Sequence, residues 1–411
     1  MTAKAGWENK KLTDLAEYIN GRAFKPEDWG TEGLPIIRIE QLKNPLAVTD
    51  YYAGKLPDAN IIEDGDLIFS WSASLFLRIW KFGKAALNQH LFKVVEKDGV
   101  DKVFLKSFID FYLPELTKSS HGSTMQHITR KELEKFSAPF PIDTVEQSQI
   151  AAILSTLDRA IEQTEAIIAK QQRIKAGLMQ DLLTKGIDEH GAIRSEATHQ
   201  FKNSPLGRIP VEWDTARIGD VLTEKPKNGY SPKEVDDWTG VQMLGLGCLS
   251  TDGFRPVQLK NAPLGDLRLS NALLKDGDFL ISRSNTRDLV GLVGIFREIG
   301  VPCIYPDLMV RLRFDSSVDT KFMEFIFRHH LLRSQITNSA VGTSGSMVKI
   351  NAEVITTSRF LKPNIEEQER IVCLLKQMAA EICDLRNYTH KLNSIKIGVM
   401  HDLLTGTVRV N

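Results

Sequence analysis

Short segments rich in polar side chains beside glycine occur three times in the first part of the chain and three times in the second. In chain order they are INGRAFKPEDW (19–29), SWSASLFLR (70–78), SSHGSTMQH (119–127), KNGYSPKE (227–234), SRSNTRD (282–288) and GTSGSMVK (342–349). Arginine, lysine, asparagine, glutamine, serine and threonine hydrogen-bond phosphates and base edges. One such segment alone is better interpreted as a solvated turn. Three in each of two copies favour a binding surface.

Motifs that would indicate catalysis are missing from the sequence. There is no GxxxxGK phosphate loop, and LGLGCL (244–249) has a GxG without a third glycine that opens a helix. NPLA (44–47) lacks the second proline and the aromatic residue of the NPP motif of adenine methyltransferases, so we predict a loop. No histidine or cysteine cluster has zinc-ligand spacing. His329 and His330 are expected on the exposed surface of a helix.

The polar segments belong to a chain that repeats itself. IKAGLMQDLLTKG (174–186) and IKIGVMHDLLTGT (395–407) are identical at eight of thirteen positions and lie 221 residues apart. EQSQIAAIL (146–154) and EQERIVCLL (367–375) match at the same offset, which indicates a rigid element of fixed length. Upstream pairs such as GDLIFSWS and GDFLISRS match at varying offsets. The sequence therefore predicts a variable domain, a constant helix, a second variable domain and a second constant helix.

The two constant segments have the apolar spacing of heptad helices. Counting from Ile150 as position a, apolar residues fill most a, d and e positions over almost five heptads, and no proline interrupts either segment. A helix of about 35 residues is about 50 Å long, so two such helices are expected to pack as a coiled coil. The alternative is that each packs only on its own domain. The predicted seam consists of Ile150, Ile153, Leu157, Ile167, Ile174, Leu178, Ile371, Leu374, Met378, Leu385, Leu392 and Ile395.

Each variable domain mixes short apolar runs of strand type with a helical pattern, which predicts an α/β (α+β) domain with a small mixed sheet. The predicted boundaries are 1–143 for the first variable domain, 144–187 for the first helical region, 188–209 for a polar linker, 210–363 for the second variable domain, and 364–411 for the second helical region with its tail.

Composition and charge leave the function open. The 411 residues carry 52 basic and 52 acidic side chains, so the net charge is zero, which is unusual for a nucleic-acid-binding protein but does not exclude one. No apolar run reaches the length of a membrane span, and the start does not have the pattern of a signal peptide. The four cysteines show no CxxC spacing, which is typical of reduced thiols in a cytoplasmic protein.

Several sequence motifs, taken together, resemble those of a known protein family over nearly the whole length of the chain. They are IPVEWDTARIGDV (209–221), PIDTVEQSQIAAILSTLDRAI (141–161), PNIEEQERIVCLLKQMAAEI (363–382), LMQDLLTKGI (178–187) and VMHDLLTGTVRV (399–410). In this order they resemble the domain opening, the paired helix openings and the helix endings of the specificity subunit of type I restriction-modification enzymes. The first domain departs from the pattern because it opens with AGWENKKL and lacks the Ile-Pro pair.

The resemblance implies a non-catalytic DNA-recognition subunit in which each target-recognition domain contacts one half of a split, asymmetric site through the major groove. An antiparallel coiled coil would fix the distance between the halves, since about 50 Å spans about 15 base pairs. Two methyltransferase subunits, which use S-adenosylmethionine, would dock on the helical regions. Motor-nuclease subunits, which use ATP and magnesium, would complete the complex. This chain would itself bind no cofactor and no metal.

Two other classes of function compete with this interpretation. One is a coiled-coil scaffold that binds only proteins, and the other is an enzyme that acts on its own. The matched polar segments favour DNA contact, for which side-chain chemistry selects Arg22, Lys25, Arg38, Gln41, Ser72, His90, Thr124, Gln126 and His127 in the first copy. In the second copy it selects Lys227, Asn228, Tyr230, Arg283, Asn285, Arg287, Ser344, Ser346 and Lys349.

Overall fold

The computed structural model describes residues 5–118, 127–263, 265–342 and 347–410. They form two compact units. The first unit combines Met1–Ile167 with Leu385–Asn411, and the second is Ile168–Asp384. Each of two long helices contributes residues to both units. The domain boundaries drawn from the sequence keep each helical region apart from the recognition domains and stay a prediction.

The described part of the first unit contains two four-stranded sheets, a two-stranded antiparallel sheet formed by its first and last strands, and the helices that cover them. Its strands are Trp7–Lys11 (β1), Ala16–Asn20 (β2), Leu34–Ile37 (β3), Tyr51–Tyr52 (β4), Ile61–Ile62 (β5), Leu67–Ser70 (β6), Phe76–Ile79 (β7), Ala85–Leu87 (β8), Leu91–Glu96 (β9) and Ser137–Pro141 (β10). Its helices are Leu12–Leu15 (α1), Ile39–Lys43 (α2), Lys102–Lys118 (α3), Arg130–Lys135 (α4) and the start of Thr144–Thr184 (α5). The strand order is β2-β9-β6-β7 in one sheet and β4-β3-β8-β5 in the other, where β3 and β8 are parallel.

The central strand β6 is buried on both faces because its side chains alternate between two cores. Leu67 and Phe69 pack with Phe104 and Phe108 of α3, whereas Ile68 packs in the smaller core between the two sheets. The short apolar run thus forms a strand that packs in both cores. This packing fixes the position of the segment that follows Ser70.

The second unit repeats this arrangement. Its strands are Phe201–Ser204 (β11), Gly207–Pro210 (β12), Asp214–Arg217 (β13), Lys227–Asn228 (β14), Gln242–Leu244 (β15), Leu249–Ser250 (β16), Gly253–Phe254 (β17), Leu259–Asn261 (β18), Phe279–Ser282 (β19), Ser284–Asn285 (β20), Val293–Ile295 (β21), Cys303–Ile304 (β22), Met309–Leu312 (β23), Val348–Lys349 (β24) and Arg359–Lys362 (β25). Its helices are Thr320–Arg328 (α6), His330–Asn338 (α7), Ala352–Thr357 (α8) and the start of Ile365–Leu404 (α9). The order β14-β23-β19-β21 corresponds strand by strand to β2-β9-β6-β7 of the first unit, and we call each of these two the larger sheet of its unit. The parallel strands β15 and β22 correspond to β3 and β8. The repeated mixed α/β fold predicted from the sequence is therefore confirmed.

An ion pair fixes the register of the central strand in each unit. A glycine with positive φ, Gly65 in the first unit and Gly277 in the second, makes the turn into the central strand. The aspartate that follows the glycine pairs with a basic residue of the neighbouring strand. The pairs are Asp66 with Lys93 at 2.8 Å and Asp278 with Arg311 at 3.3 Å. The second pair is buried, so the Gly-Asp motif of the repeat has a structural role.

Helices α5 and α9 are longer than predicted, with 41 and 40 residues. In the first unit the start of α5 packs with the end of α9, through Ile150, Leu154 and Leu404. In the second unit the end of α5 packs with the start of α9, through Leu182 and Ile371. Within each unit the two helices therefore run antiparallel.

The buried seam lies at heptad positions a and e, which corrects the predicted a and d seam. At position e, Leu154 is fully buried and Ile161 is 8% exposed. At position d, Ile153, Ile167 and Ile174 of α5 are 40–47% exposed. Predicted seam residues at position d of α9, Leu374 and Ile395, are exposed as well, whereas Ile150, Ile371 and Leu392 at position a are buried and Leu157, Leu178, Met378 and Leu385 are partly buried. Within the described residues, no helix is both long enough and apolar enough to cross a membrane.

Candidate nucleic-acid interface

In the first unit, the segment after strand β6 brings several polar side chains together. Ser72 is buried and forms an isolated β-bridge with His127, while the amide of Ile128 donates to the carbonyl oxygen of Trp71 at 2.9 Å. The Trp71 ring lies 6.0 Å from the exposed His90 ring and 6.1 Å from the His127 ring. Three predicted contact residues, Ser72, His90 and His127, therefore surround Trp71, a residue that the sequence interpretation did not select.

The corresponding place in the second unit follows strand β19. Ser284 is buried and pairs with Lys349 across β20 and β24, and the amide of Ile350 donates to the carbonyl oxygen of Arg283 at 2.9 Å. Asn285 lies next on β20 and caps its own turn, since its side-chain oxygen accepts from the amide of Thr286. The structure thus brings Arg283, Asn285 and Lys349 together, as their matched segments suggested.

The remaining predicted residues of the first unit are mostly engaged within the protein. Arg22 pairs with Asp28 at 3.3 Å and lies 4.7 Å from the Tyr52 ring centre. Arg38 pairs with Asp50 at 2.7 Å. Gln41 is buried, and its amide contacts the backbone of Val48 and of Arg38, so it is a structural residue in this conformation. Lys25 is exposed.

In the second unit, Lys227 and Asn228 are exposed on strand β14, at the edge of the larger sheet. The hydroxyl of Tyr230 donates to Asp266 at 2.7 Å, and the guanidinium of Arg268 lies over the Tyr230 ring. Arg287 is exposed and donates to the carbonyl oxygen of Thr337. The predicted contacts Thr124, Gln126, Ser344 and Ser346 lie outside the described residues.

Comparisons with known proteins agree with the predicted resemblance. Residues 4–171 match the family described as "Type I restriction modification DNA specificity domain". Residues 4–171 therefore carry a type I restriction-modification DNA specificity domain. It is 26% identical over 427 residues to the type I restriction enzyme MjaVIII specificity subunit of Methanocaldococcus jannaschii, covering 98% of this chain and 93% of the relative. The predicted family is confirmed.

Two solved structures share the fold of this chain. One is a chain from a structure described as "Structural basis underlying complex assembly and conformational transition of the type I R-M system", with a TM-score of 0.60 and 18% identity. The comparison covers 99% of this chain and all of the other. The second is the type I restriction-modification S subunit from M. genitalium, with a TM-score of 0.58, 13% identity, and coverage of 98% and 96%.

Two buried glutamates, Glu146 and Glu367, connect the long helices to their units. The sequence predicted them only as parts of the helix openings. In the second unit, the carboxylate of Glu367 accepts from Trp213 Nε1 at 3.0 Å, from the amide of Ile187 at 2.9 Å and from Arg194 Nη1 at 2.5 Å. A Cβ at Gly186 would lie 2.1 Å from this carboxylate, which explains the glycine at the end of α5. We call this group the second clasp.

The first unit has an equivalent first clasp. The carboxylate of Glu146 accepts from Trp7 Nε1 at 3.3 Å and from Arg409, whose Nε and Nη2 lie at 2.5 and 2.8 Å. Each clasp therefore joins a domain-opening tryptophan, the start of one long helix and an arginine that follows the end of the other. The repeated Trp and Glu-Gln phrases carried this signal, but the arginines were not recognisable in advance.

The glutamine after each clasp glutamate attaches the helix start to its recognition fold. Gln147 accepts from the amide of Asp101 at 2.7 Å and donates to the carbonyl oxygen of Pro141, and Gln368 accepts from the amide of Asp319 at 2.9 Å. These aspartates cap the helices that follow the larger sheets. In each unit the mixed α/β fold is thereby connected to the start of a long helix.

His329 lies inside the second unit, which corrects the expected exposed position. It is buried between α6 and α7, and its Nε2 hydrogen-bonds Gln180 of α5 at 2.8 Å. Burial, and secondarily the neighbouring His330, lowers the pKa of His329 to about 4. The neutral ring is therefore part of the packing of the helix against the specificity fold.

Proposed function

We propose that this chain is the DNA-specificity subunit of a type I restriction-modification complex, in which each unit recognises one half of a bipartite, asymmetric DNA site. The observation that carries the proposal is one specificity fold present twice, with different side chains at the same strand end. Trp71 stands in the first unit where Arg283 stands in the second. Equal folds with unequal contact residues suit two half-sites of different sequence.

Catalysis in this proposal belongs to other subunits. Methyltransferase subunits would supply S-adenosylmethionine and the methyl transfer, and motor-nuclease subunits would supply ATP, magnesium and DNA cleavage. The chain would contribute position and sequence selectivity, which phosphate and base contacts provide without any reacting group. The relative from Methanocaldococcus jannaschii, named as a restriction enzyme specificity subunit, supports the same division of labour.

The outward-facing apolar side chains at heptad position d support docking of the methyltransferase on the helices. In the first unit these are Ile153, Ile167, Tyr388 and Ile395, which we call the d row, and each is 40–52% exposed. The two residues from α9 lie 221 positions after Ile167 and Ile174 of α5. Both copies of the repeat therefore have apolar residues at these d positions. Apolar side chains exposed at regular spacing on a helix are typical of a partner-binding face.

The proposal is tested by mapping methylated adenines in cells that express the methyltransferase with and without this chain. We expect methylation at a single bipartite sequence only when the chain is present. The purified chain alone is expected to neither methylate nor cleave DNA, and either activity would favour a self-sufficient enzyme.

Binding measurements separate the proposal from a protein-only scaffold. The complex with methyltransferase is titrated with duplexes that carry both mapped half-sites, one half-site or neither, at several salt concentrations. We expect affinity that falls with salt and with the loss of either half-site. Equal affinity for all duplexes would favour a scaffold that binds only proteins.

A further inference from the structure

The last residue of the central strand and the residue two positions later are buried serines in both units. They are Ser70 and Ser72 in the first unit, and Ser282 and Ser284 in the second, all at most 3% exposed. Because side chains alternate along extended backbone, the residue between each pair is directed to the opposite face. That residue is Trp71 in one unit and Arg283 in the other, and both are half-buried.

The two positions are structurally equivalent. Ser70 of β6 pairs with Leu91 of β9, and Ser282 of β19 pairs with Met309 of β23, the corresponding strands of the two larger sheets. On the following side, the strand end bridges to His127 in the first unit and to Lys349 in the second. The fold therefore fixes one half-buried position just beyond the central strand of each unit, on the same face as Phe69 and Ile281, and allows its side chain to vary.

Among the described residues, Trp71 and Arg283 each have a donor nitrogen that the fold does not engage, although the Trp71 ring itself packs on Phe92 in the core of the first unit. Trp71 Nε1 and Arg283 Nε are buried and have no hydrogen-bond partner within the described residues. By contrast, Arg22 and Arg38 pair with carboxylates. A buried donor without an acceptor is unfavourable, and a rotation that brings it to an acceptor on a ligand relieves this.

The backbone beside Trp71 is held in a strained conformation. Ala73 has a φ of 58°, in the left-handed region that residues with a side chain rarely adopt. Ser70 Oγ donates to the carbonyl oxygen of Ser74 at 2.5 Å and closes this turn. Strained, tightly bonded turns of this kind occur at sites that must present a side chain in one orientation.

We propose that Trp71 and Arg283 are the equivalent specificity-determining residues of the two half-sites, an inference that rests on the proposed function. The guanidinium of Arg283 fits the O6 and N7 acceptors of guanine. Trp71 has one donor, no acceptor and an apolar ring. It therefore fits a thymine, which offers the O4 acceptor beside its methyl group, and it cannot accept from the amino groups of adenine or cytosine.

The experiment compares variants of the full chain in complex with its methyltransferase on a DNA library randomised at both half-sites. Arg283→Gln is expected to change guanine preference toward adenine at one base pair of one half-site, by about tenfold or more. Trp71→Phe keeps an aromatic ring, though a smaller one, and removes the donor, so it is expected to relax thymine preference at one pair of the other half-site. Arg297→Gln and Trp238→Phe, both at exposed positions, serve as controls that leave both preferences unchanged.

The outcomes separate this inference from the proposed function. If the wild-type complex methylates no bipartite site, the proposed function fails. If it does and both variants keep its base preferences, or lose rate equally on all sequences, residues 71 and 283 contact only the backbone and the inference is wrong. Where Arg283→Gln does not assemble, Arg283→Lys keeps the charge and loses the planar fork; unchanged guanine preference there also overturns the inference.

Discussion

At the scale of single residues, the most consequential side chains are those of the two clasps. The second clasp buries a carboxylate against an arginine and a tryptophan that stand 173 and 154 residues away in the chain. The Glu-Gln phrase was visible in the sequence as a helix opening, but the burial of Glu367 was not. Sequence spacing gives no information on which distant arginine reaches a carboxylate, so only the tryptophan and glutamate could be matched through the repeat.

Replacing the buried carboxylate of the second clasp is expected to destabilise the chain strongly. Glu367→Gln keeps the shape of the side chain but leaves the buried Arg194 with only the exposed Glu212, 4.0 Å from its Nε, as a counter-charge. Losing the buried partner is expected to cost about 3 kcal/mol of unfolding free energy. Urea unfolding of the full chain measures this loss. Glu366→Gln, at the exposed neighbouring position, is the matched control and is expected to change stability by less than about 0.5 kcal/mol. Equal destabilisation by the two variants would contradict a structural role of the clasp.

At the scale of elements, the heptad pattern predicted both long helices but not the edge on which they meet. Apolar residues fill positions a, d and e, and the antiparallel pairing within each unit uses a and e. The seam also accepts polar groups, since Thr164 at position a is buried and Lys396 at position e pairs with Asp158. A sequence does not distinguish an apolar edge that is buried within the chain from one that binds a partner. For this reason three residues of the d row, Ile153, Ile167 and Ile395, were predicted to lie in the seam.

Charges introduced into the d row are expected to weaken the association with methyltransferase without unfolding the chain. Ile153→Lys and Ile167→Lys place a cation on exposed apolar positions, and we expect at least about a tenfold loss of affinity for each. Isothermal titration of the chain with the methyltransferase measures the affinity, and thermal unfolding checks the fold. Ala169→Lys at position f, also exposed, serves as the control. If the control weakens binding as much as the d-row variants, or neither type does, the row is not the docking face.

At the scale of the whole molecule, the chain combines a repeated fold with variable contact residues. The order of strands, the Gly-Asp ion pairs and the clasps recur in both units, which is why the repeat was detectable at low sequence identity. The predicted DNA contacts could not be located as well from the sequence. Arg22, Arg38 and Gln41 are held by partners within the first unit, and the sequence does not reveal these partners. Matched segments located the strand ends, and geometry was needed to identify Trp71.

The proposed role of the paired helices in setting the half-site spacer makes a quantitative prediction. Seven residues inserted into each helix beside the Asp158–Lys396 pair keep positions a and e in phase and lengthen each helix by about 10 Å. Methylated-adenine mapping should then give the same half-sites with a spacer longer by about three base pairs.

Two further insertions show whether helix length is the cause of such a change. Seven residues placed in the turn between β11 and β12, after Pro205, leave the helices intact and are expected to leave the spacer unchanged. Two residues inserted into α5 alone turn the a and e positions that follow by about 200°, so this variant is expected to lose assembly with the methyltransferase. A heptad-extended chain that still methylates the original spacer would show that the helices do not measure the distance between half-sites, whatever else they bind.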